Sequence, residues 1–336
     1  MCGFFGLQSF HLDKNEKITI SKKAINILHA RGPDFNDIWL GENDNLIFSH
    51  NRLSILDLSK AGNQPMTSLS GNLIIIFNGE IYNHLTIREE LKKENSFTNW
   101  KSTSDTETLL QAVEFWGIEK TLEKIIGMFA FAIWDKINNF LYLARDRFGE
   151  KPLYYGWIEQ NKSFVFSSDL IFDKLFKNIS FKINEDALND LFHLNYVNNH
   201  YSIFKNIFKI NPGSYSQISF KKKLEPKIIT TKYWNTENII LNKKNNFPSE
   251  KNFVEQLDSE LTKIVKNQIL ADVEVGTFLS GGIDSSLVTA KAQEVSSQKI
   301  KTFSIGNENT NYDESKYAKQ VARHLNTDHE ELILND

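Results

Sequence analysis

The sequence contains a single cysteine, no apolar run of the length of a membrane span, and almost no net charge. One cysteine cannot form an internal disulfide, and no group of Cys and His residues has metal-site spacing. A membrane helix needs about 20 consecutive apolar residues, and MCGFFGLQSF lacks the positive segment of a signal peptide. Opposite charges are well mixed around a net charge of −3, which excludes a basic nucleic-acid- or membrane-binding surface. We therefore expect a cytoplasmic globular protein.

The 336 residues, 40% of them hydrophobic and 24% charged, predict two globular domains. The first 210 residues or so alternate strand patterns with two helical stretches. Such blocks of long strands and helices favour sheets in layers covered by helices over a βαβ winding. The predicted strands are 46–55, 72–83, 128–135, 140–146, 152–159 and 163–169, and the predicted helices are 84–95 and 105–117.

Beyond residue 235 the pattern changes. Residues 235–250 are rich in Asn and Lys and predict a linker, and Ser249 is a suitable N-cap for a helix over 250–270. Strand and helix patterns then alternate, which indicates the opening units of a parallel α/β domain. The predicted strands are 273–280, 300–306 and 329–334, and the helices are 283–295 and 313–325.

The single cysteine stands at position 2. Removal of Met1 would leave a thiol and a free α-amino group on one residue, with ordinary pKa values of about 8.5 and about 8. Cys2 could then supply both a nucleophile and its general base, as in N-terminal nucleophile catalysis. Taken alone, the residue could equally be a stray cysteine near the terminus.

The segment Ser280–Ser286, SGGIDSS, follows an apolar strand and opens a helix. Glycines permit a sharp turn, and hydroxyl and N–H groups at a helix N-terminus form an anion site. The Gly-Lys-Ser/Thr ending of a Walker A loop is absent. The segment therefore suggests a pyrophosphate site in an enzyme that splits ATP to AMP, with a serine-rich helix cap as the alternative.

These motifs, with others along the whole chain, resemble those of the glutamine-hydrolysing asparagine synthetases, class II glutamine amidotransferases with an ATP-pyrophosphatase domain. The resemblance implies an α+β N-terminal nucleophile domain, an αββα sandwich, over residues 2–215. A connecting segment over 216–248 and the start of a Rossmann-like parallel α/β ATP-pyrophosphatase domain over 249–336 would follow. The matching segments are 1–3, 31–34, 50–66, 77–83, 104–107, 143–155, 278–286, 302–306 and 312–318.

The resemblance implies that Cys2 attacks the glutamine side-chain amide and forms a thioester while ammonia leaves. Its own α-amino group would act as the base. Asn78 and Gly79 would form the oxyanion hole, for which an Asn amide and a backbone N–H are suitable donors. Asn-Gly is also the leading hairpin-turn dipeptide, although Phe77 and Ile81 place it inside a long apolar run.

Five further positions would bind glutamine by the same resemblance. Arg52 would hold the α-carboxylate, and Glu80 and Asp105 the ammonium group. Leu53 and Ile55 would contact the substrate through the backbone. Without the resemblance, Asp105 could merely cap the helix at 106–117, and Arg52 and Glu80 could form a structural ion pair.

In the second domain the resemblance implies an ATP and Mg²⁺ site. Aspartate would attack ATP to give β-aspartyl-AMP and pyrophosphate, and ammonia would then displace AMP. Leu279 and Ile305 would contact adenine, and Asp284 would lie near Mg²⁺. The positions implied for ATP are Leu279, Ser280, Gly281, Gly282, Asp284, Ser285, Ser286 and Ile305.

Three departures from the family pattern affect this interpretation. Glu274 stands in place of a proline, and Asp169 in place of a glutamate. The second nucleotide and acceptor motif lies beyond Asp336, so we expect a fragment or an interrupted reading frame with glutaminase parts and an incomplete synthetase site. Amidation of another carboxylate, such as a surface-sugar acid, a glutaminase alone and a non-enzymatic glutamine-binding domain remain alternatives, and we expect a homodimer.

Overall fold

The structure is a computed structural model that describes residues 1–95, 99–198, 200–221, 225–237, 240, 249–307 and 313–334. The chain divides into two compact units, Met1–Leu241 and Asn242–Asp336. The Asn- and Lys-rich segment predicted as a linker lies largely outside the described residues. Among the residues described, no helix has the length and apolar character that would let it cross a membrane.

Two six-stranded antiparallel sheets form the centre of the first unit. The strand order is β10-β8-β9-β1-β3-β2 in one sheet and β12-β11-β7-β6-β5-β4 in the other. The strands are β1 Gly3–Ser9, β2 Phe35–Leu40, β3 Leu46–Arg52, β4 Met66–Thr67, β5 Leu73–Ile81, β6 Gly127–Asp135, β7 Phe140–Arg145, β8 Tyr154–Ile158, β9 Ser163–Ser167, β10 Ile207–Lys209, β11 Ser214–Ser219 and β12 Lys227–Lys232.

Helices cover the outer faces of both sheets. One apolar core lies between the sheets, a second under α1 and α5, and a third under α2, α3 and α4. The predicted αββα sandwich is therefore confirmed. The helices of this unit are α1 Lys14–Leu28, α2 His84–Asn95, α3 Asp105–Trp116, α4 Ile118–Lys124, α5 Phe172–Leu175 and α6 Glu185–Leu194.

Strand β1 is central in its sheet, between β9 and β3, and every residue in it is buried. Its side chains alternate between the inter-sheet core and the layer under α1, as a strand with both faces covered requires. Gly6 leaves room for the Phe166 ring, which would lie 2.0 Å from an added Cβ. Cys2 directly precedes this strand, so its backbone is attached to the most enclosed part of the sheet.

Most predicted elements of the first unit are present with changed ends. The strand predicted over 46–55 ends at Arg52, and the chain then leaves the sheet to line a cleft. Helix α1 was not predicted, although Asp13 and Glu16 form a capping box at its start. Strand β11 runs through residue 215, where the first domain was predicted to end, and β12 extends the sheet to Lys232.

The second unit contains a three-stranded sheet with order β13-β14-β15. Both strand pairs are parallel, as the alternating pattern predicted. Ser249 caps the first helix by accepting from the Asn252 N–H. The elements are α7 Glu250–Gln268, β13 Gly276–Phe278, α8 Ile283–Val295, β14 Lys301–Asn307, α9 Ser315–Leu325 and β15 Asp328–Leu334.

Candidate active site

A cleft opens in the first unit where the start of β1, the end of β5 and the start of α3 converge. All residues predicted from the first domain for catalysis and glutamine binding line this cleft. Its walls are formed by Met1, Cys2, Arg52, Leu53, Ile55, Leu56, Gly62, Gln64, Phe77, Asn78, Gly79, Glu80, Ser104, Asp105, Thr106, Met128 and Lys151.

The Cys2 thiol is held by the backbone of Leu53. The Leu53 N–H donates to Sγ at 3.4 Å, and the thiol donates to the Leu53 carbonyl at 3.7 Å. Arg31 fixes the Cys2 backbone by donating from Nε to its carbonyl at 3.2 Å, and Arg31 also pairs with Asp169 at 3.7 Å. Burial raises the pKa of the Cys2 thiol. A nucleophilic thiolate therefore requires a nearby base.

Met1 occupies part of the same cleft. Burial, together with the positive charges of Arg31 and Lys151, lowers the pKa of its amino group. Lys151 Nζ donates to the Met1 sulfur at 2.7 Å. While Met1 is attached, the nitrogen of Cys2 is a peptide amide and cannot act as a base. Removing Met1 would both create the amine beside the thiol and clear space in the cleft.

Asn78 is fully buried, yet neither its amide nitrogen nor its amide oxygen has a partner among the described residues. The side chain lines the cleft that contains Cys2. Leaving such a group unpaired costs about 1–3 kcal/mol. Asn78 and Gly79 pair with Ala130 and Phe129 inside a continuous ladder, so the hairpin-turn alternative is wrong. A Cβ on Gly79 would lie 2.1 Å from a backbone oxygen of β6.

Arg52 is buried and binds the loop that follows β3. Its Nη1 donates to the Ser59 carbonyl and the Asn63 side chain, both at 2.8 Å, and its Nη2 donates to the Leu56 and Asp57 carbonyls. The described contacts of Arg52 do not include the ion pair with Glu80 that was an alternative. Arg52 therefore shapes the cleft wall as well as lining it.

Two carboxyl groups face the cleft. Asp105 accepts from the Ile81 N–H at 2.8 Å, while Ser104, not Asp105, caps α3. Burial, opposed by that hydrogen bond and reinforced by the charge of Glu80, raises the pKa of Asp105 to about 7. Burial also raises the pKa of Glu80, against the positive charge of Lys151. Two carboxyls in partly desolvated positions would favour a cation between them.

Sequence reasoning missed Gln64, which lines the cleft, and Asp57, which belongs to the loop that Arg52 binds. Gln64 accepts from the Phe77 N–H at 2.6 Å and donates to Thr106 Oγ1 at 3.2 Å, so it joins the loop to β5 and α3. Asp57 accepts from the Thr103 N–H at 2.8 Å. Both lie within the motif 50–66, but nothing in their residue types distinguishes them from loop residues.

The turn after β7 positions Lys151 in the cleft. Its centre is the fully buried Asp146, whose carboxylate accepts the backbone N–H groups of Phe129, Phe148, Glu150 and Lys151. Arg145 donates to carbonyls in the same turn, including that of Lys151 at 2.8 Å. Asp146 and Arg145 thus hold the turn that carries Lys151.

A second cavity lies in the second unit, at the carboxyl ends of β13 and β14. It brings together Leu279, Ser280, Ser285 and Ile305 from the predicted ATP site. Gly281, Gly282, Asp284 and Ser286 lie in the same loop and first helical turn, but not among the lining residues. The other lining residues are Phe278, Phe303, Ser304, Glu314 and Ser315.

Serine hydroxyls organise this loop. Ser280 Oγ and Ser285 Oγ are 2.9 Å apart, and the Gly282 N–H donates to Ser280 Oγ at 3.3 Å. The Ser286 hydroxyl is buried without a partner in the described structure. Gly281 has φ +83°, and an added Cβ would lie 2.6 Å from the Ala318 nitrogen. The described residues contain no cluster of three or more His, Cys, Asp or Glu that could hold a metal ion.

Comparisons with known proteins cover nearly the whole chain. Residues 1–234 match the family model of a glutamine amidotransferase domain, and residues 256–336 match that of asparagine synthase. A putative glutamine-hydrolysing asparagine synthetase of Methanocaldococcus jannaschii is 35% identical over 349 residues, covering 98% of this chain and 64% of the relative. A glutamine-hydrolysing asparagine synthetase of Bacillus subtilis is 34% identical over 330 residues, covering 97% of this chain and 49% of the relative.

The chain thus spans between about half and two thirds of the length of these relatives. Among solved structures, that of an allosteric regulatory enzyme of purine biosynthesis matches with a TM-score of 0.51 at 14% identity. The match covers 99% of this chain and 80% of that one. At this identity the likeness extends to the fold alone.

Proposed function

We propose that this chain, which belongs to the glutamine amidotransferase domain family and matches asparagine synthase over residues 256–336, hydrolyses glutamine at Cys2 and delivers the ammonia to an aspartate activated by ATP. The products would be asparagine, glutamate, AMP and pyrophosphate. The observation that carries the first step is the buried Asn78 amide without a partner, in the cleft that contains the thiol. That amide would donate to the oxyanion formed when Cys2 attacks.

The glutaminase step would use Cys2 after loss of Met1. The freed α-amino group takes the thiol proton, and sulfur attacks the carbonyl carbon of the glutamine side chain. The tetrahedral oxyanion collapses, the proton passes to the leaving nitrogen, and ammonia departs from a thioester. Water then attacks the thioester and releases glutamate. The Leu53 backbone, which contacts Sγ on both its N–H and its carbonyl, would hold sulfur in position during attack.

Glutamine would bind with its ammonium group at Glu80 and Asp105. Both carboxyls line the cleft and have pKa values raised by burial, so an arriving cation would favour their ionised forms. Arg52 and Lys151 supply the positive charge in the cleft, and we propose that Arg52 attracts the α-carboxylate from its place against the loop carbonyls. Ile55 completes the wall beside Leu53.

The synthetase step would use the cavity of the second unit. Leu279 and Ile305 would hold the adenine ring, and the loop from Ser280 would hold the phosphates through N–H and hydroxyl groups. The unpaired Ser286 hydroxyl supports an anion there. Mg²⁺ bound to the phosphates near Asp284 would neutralise their charge. We also propose that the protein is cytoplasmic, that it forms a homodimer, and that its two domains span residues 2–215 and 249–336.

The test measures glutamate formation and pyrophosphate release by the product of the complete gene. Glutamate formation should disappear in Cys2→Ala, while aspartate-dependent pyrophosphate release with added ammonia should persist. Asn78→Ala should slow glutamate formation by about 10²–10³ with little change in that ammonia-dependent release. Pyrophosphate release that does not depend on aspartate would indicate another acceptor. Glutamate formation that survives in Cys2→Ala would overturn the proposed first step.

A further inference from the structure

Strand β3 directs one polar ring, that of His50, into the core between the two sheets. Phe48 of this strand belongs to the inter-sheet core and Ile47 to the layer under α1, so alternation turns His50 toward the inter-sheet core. The ring is fully buried. Burial, opposed by a hydrogen bond to Phe77 and reinforced by the charge of Arg52, lowers the pKa of His50 to about 4. The imidazole is therefore uncharged at neutral pH.

The His50 ring contacts the strand that carries Asn78. Its Nε2 lies 3.0 Å from the carbonyl oxygen of Phe77. Because a carbonyl can only accept, Nε2 carries the proton of the neutral ring and donates it, while Nδ1 is unprotonated. Nδ1 has no hydrogen-bond partner within the described residues. The polar contact of this ring therefore joins β3 of one sheet to β5 of the other.

Phe77 lies where β5, among the described strands, has a neighbour on one side only. Strand β6 runs along one edge of β5, while β4 pairs only with Ile74 and Ile75 on the other. The Phe77 N–H donates instead to Gln64 Oε1 at 2.6 Å, and the Phe77 carbonyl accepts from His50. Two side chains thus take the place of a strand and satisfy both backbone groups of this buried residue.

The contact with His50 fixes the peptide group that carries Asn78. The Phe77 carbonyl belongs to the planar peptide bond between Phe77 and Asn78, so a hydrogen bond to it sets the plane from which Asn78 projects. The Phe77 ring packs in the core under α2, α3 and α4, so alternation turns the Asn78 amide to the opposite face of β5. There it lines the cleft that contains Cys2. Rotation of this peptide would move the unpaired amide relative to the thiol.

We propose that His50 is a positioning residue for the glutaminase step, which holds the Phe77–Asn78 peptide so that the Asn78 amide points at the oxyanion. This role rests on the proposed function, in which Asn78 donates to that oxyanion. His50 is not among the residues that line the cleft, so it acts through the backbone and not on glutamine. Because the oxyanion forms during the reaction and not in bound glutamine, a displaced donor lowers kcat and leaves KM unchanged.

The test measures kcat and KM for glutamate formation by the product of the complete gene. His50→Phe keeps a ring but has no donor, and should lower kcat about tenfold with KM unchanged. His50→Gln can place an amide N–H near the position of Nε2 and should recover most of the lost kcat. Ser49→Ala is the matched control, because the buried Ser49 hydroxyl lies on the opposite face of β3 and donates to the Phe5 carbonyl at 3.3 Å. It loses a comparable hydrogen bond and should keep the parental kcat.

Combination with Asn78→Ala distinguishes the role of His50 from that of Asn78. If Asn78→Ala alone keeps the parental rate, the proposed oxyanion donor is wrong. If Asn78→Ala is slow, adding His50→Phe should lower kcat no further, because the amide that His50 positions is already gone. An additional tenfold loss in the double variant, a parental kcat in His50→Phe, or a raised KM at unchanged kcat would overturn the role of His50 and leave that of Asn78 intact.

A measurement on the parent protein does not depend on how the variants fold. Nitrogen NMR of the His50 ring should show the neutral tautomer with its proton on Nε2, as the contact with the Phe77 carbonyl requires. A ring protonated on Nδ1 alone could not donate to that carbonyl and would overturn the proposal. Thermal unfolding of each variant shows whether its kinetic constants belong to a folded protein.

Discussion

Replacing Asp105 by asparagine removes a carboxylate charge that is buried at high pH in the cleft containing Cys2. The asparagine side chain would keep an oxygen that can accept from the Ile81 N–H, so the packing of α3 against β5 should survive. The pKa of Asp105 is raised from 3.8 to about 7, mainly by burial. The native state therefore binds this proton more tightly than the unfolded chain does.

The size of the effect follows from that shift. A difference of roughly 3 pH units corresponds to about 4 kcal/mol, at about 1.4 kcal/mol for each unit. Because the pKa is raised in the folded state, the free energy of unfolding falls as pH rises from about 4 to about 7. At pH 8, Asp105→Asn should be more stable than the parent by up to that amount. Near pH 4 the two proteins should be equally stable.

Urea unfolding of parent and variant across this pH range measures the difference. Asp57→Asn is the matched control, because hydrogen bonds from Ser59 and Thr103 hold the pKa of Asp57 below its usual value despite burial. The stability that Asp57 contributes is present at neutral pH and is lost as the solution becomes acidic. Asp57→Asn should therefore destabilise the protein at pH 8. An Asp105→Asn variant with the same pH dependence as the parent would refute the reasoning.

Asp105→Asn also distinguishes the effect of this carboxylate on stability from its effect on glutamine binding. In the proposed site, a neutral amide cannot balance the glutamine ammonium, so Asp105→Asn should raise the KM for glutamine while stabilising the fold. In the parent protein, affinity for glutamine should decline below pH 7 as Asp105 takes up its proton. An unchanged KM in the variant would show that Asp105 only connects α3 to β5.

Three further substitutions, one of them with a matched control, test the cleft. Gly79→Ala should destabilise the first unit by more than about 2 kcal/mol in thermal or urea unfolding, because the new Cβ would lie 2.1 Å from the Met128 oxygen. Gly71→Ala, where nothing lies within 4 Å and only the positive φ opposes the change, should lose about 1 kcal/mol; equal losses would contradict this. Arg52→Lys should make the loop after β3 more susceptible to proteolysis and raise the KM for glutamine, since an ammonium lacks the guanidinium fork; parental proteolysis would exclude a role in holding the loop. Cys2→Ser should keep the parental unfolding midpoint yet lose glutamate formation; retained activity would show that the thiol is not the nucleophile.

Local sequence signals predicted much of the fold. Ser249 marks the start of α7, and the pattern of apolar residues predicted β3 and β5–β9 of the first unit and the parallel strands of the second unit. The blocks of strands and helices predicted layered sheets covered by helices, and the family resemblance supplied the αββα order. The pairing of β1 with β9, over 150 residues away, leaves no local signal. Helix α1 was missed because its apolar residues are mixed with lysines, one of them, Lys17, itself buried.

In the candidate site too, some residues were predicted from the sequence and others were missed. Cys2 and Asn78 lie in recognisable motifs, and the structure brings them into one cleft, while their roles stay predictions. Gln64 could not be found this way. The importance of Gln64 lies in its hydrogen bonds to Phe77 and Thr106. These contacts appear only when distant segments are packed together.

The pairing of β1 has a consequence for how the protein is made. Phe4 donates to Ser168 Oγ across a separation of 164 residues, and β9 is the strand that encloses β1 on that side. At 5–20 residues per second, a ribosome needs about 10 to 30 s to reach this strand. During that interval the nascent amino terminus can pair with β3 but has no β9 beside it, so we expect it to stay accessible to the enzymes that trim methionine. The speed of translation would therefore set how long Met1 and Cys2 are accessible before the cleft forms around them.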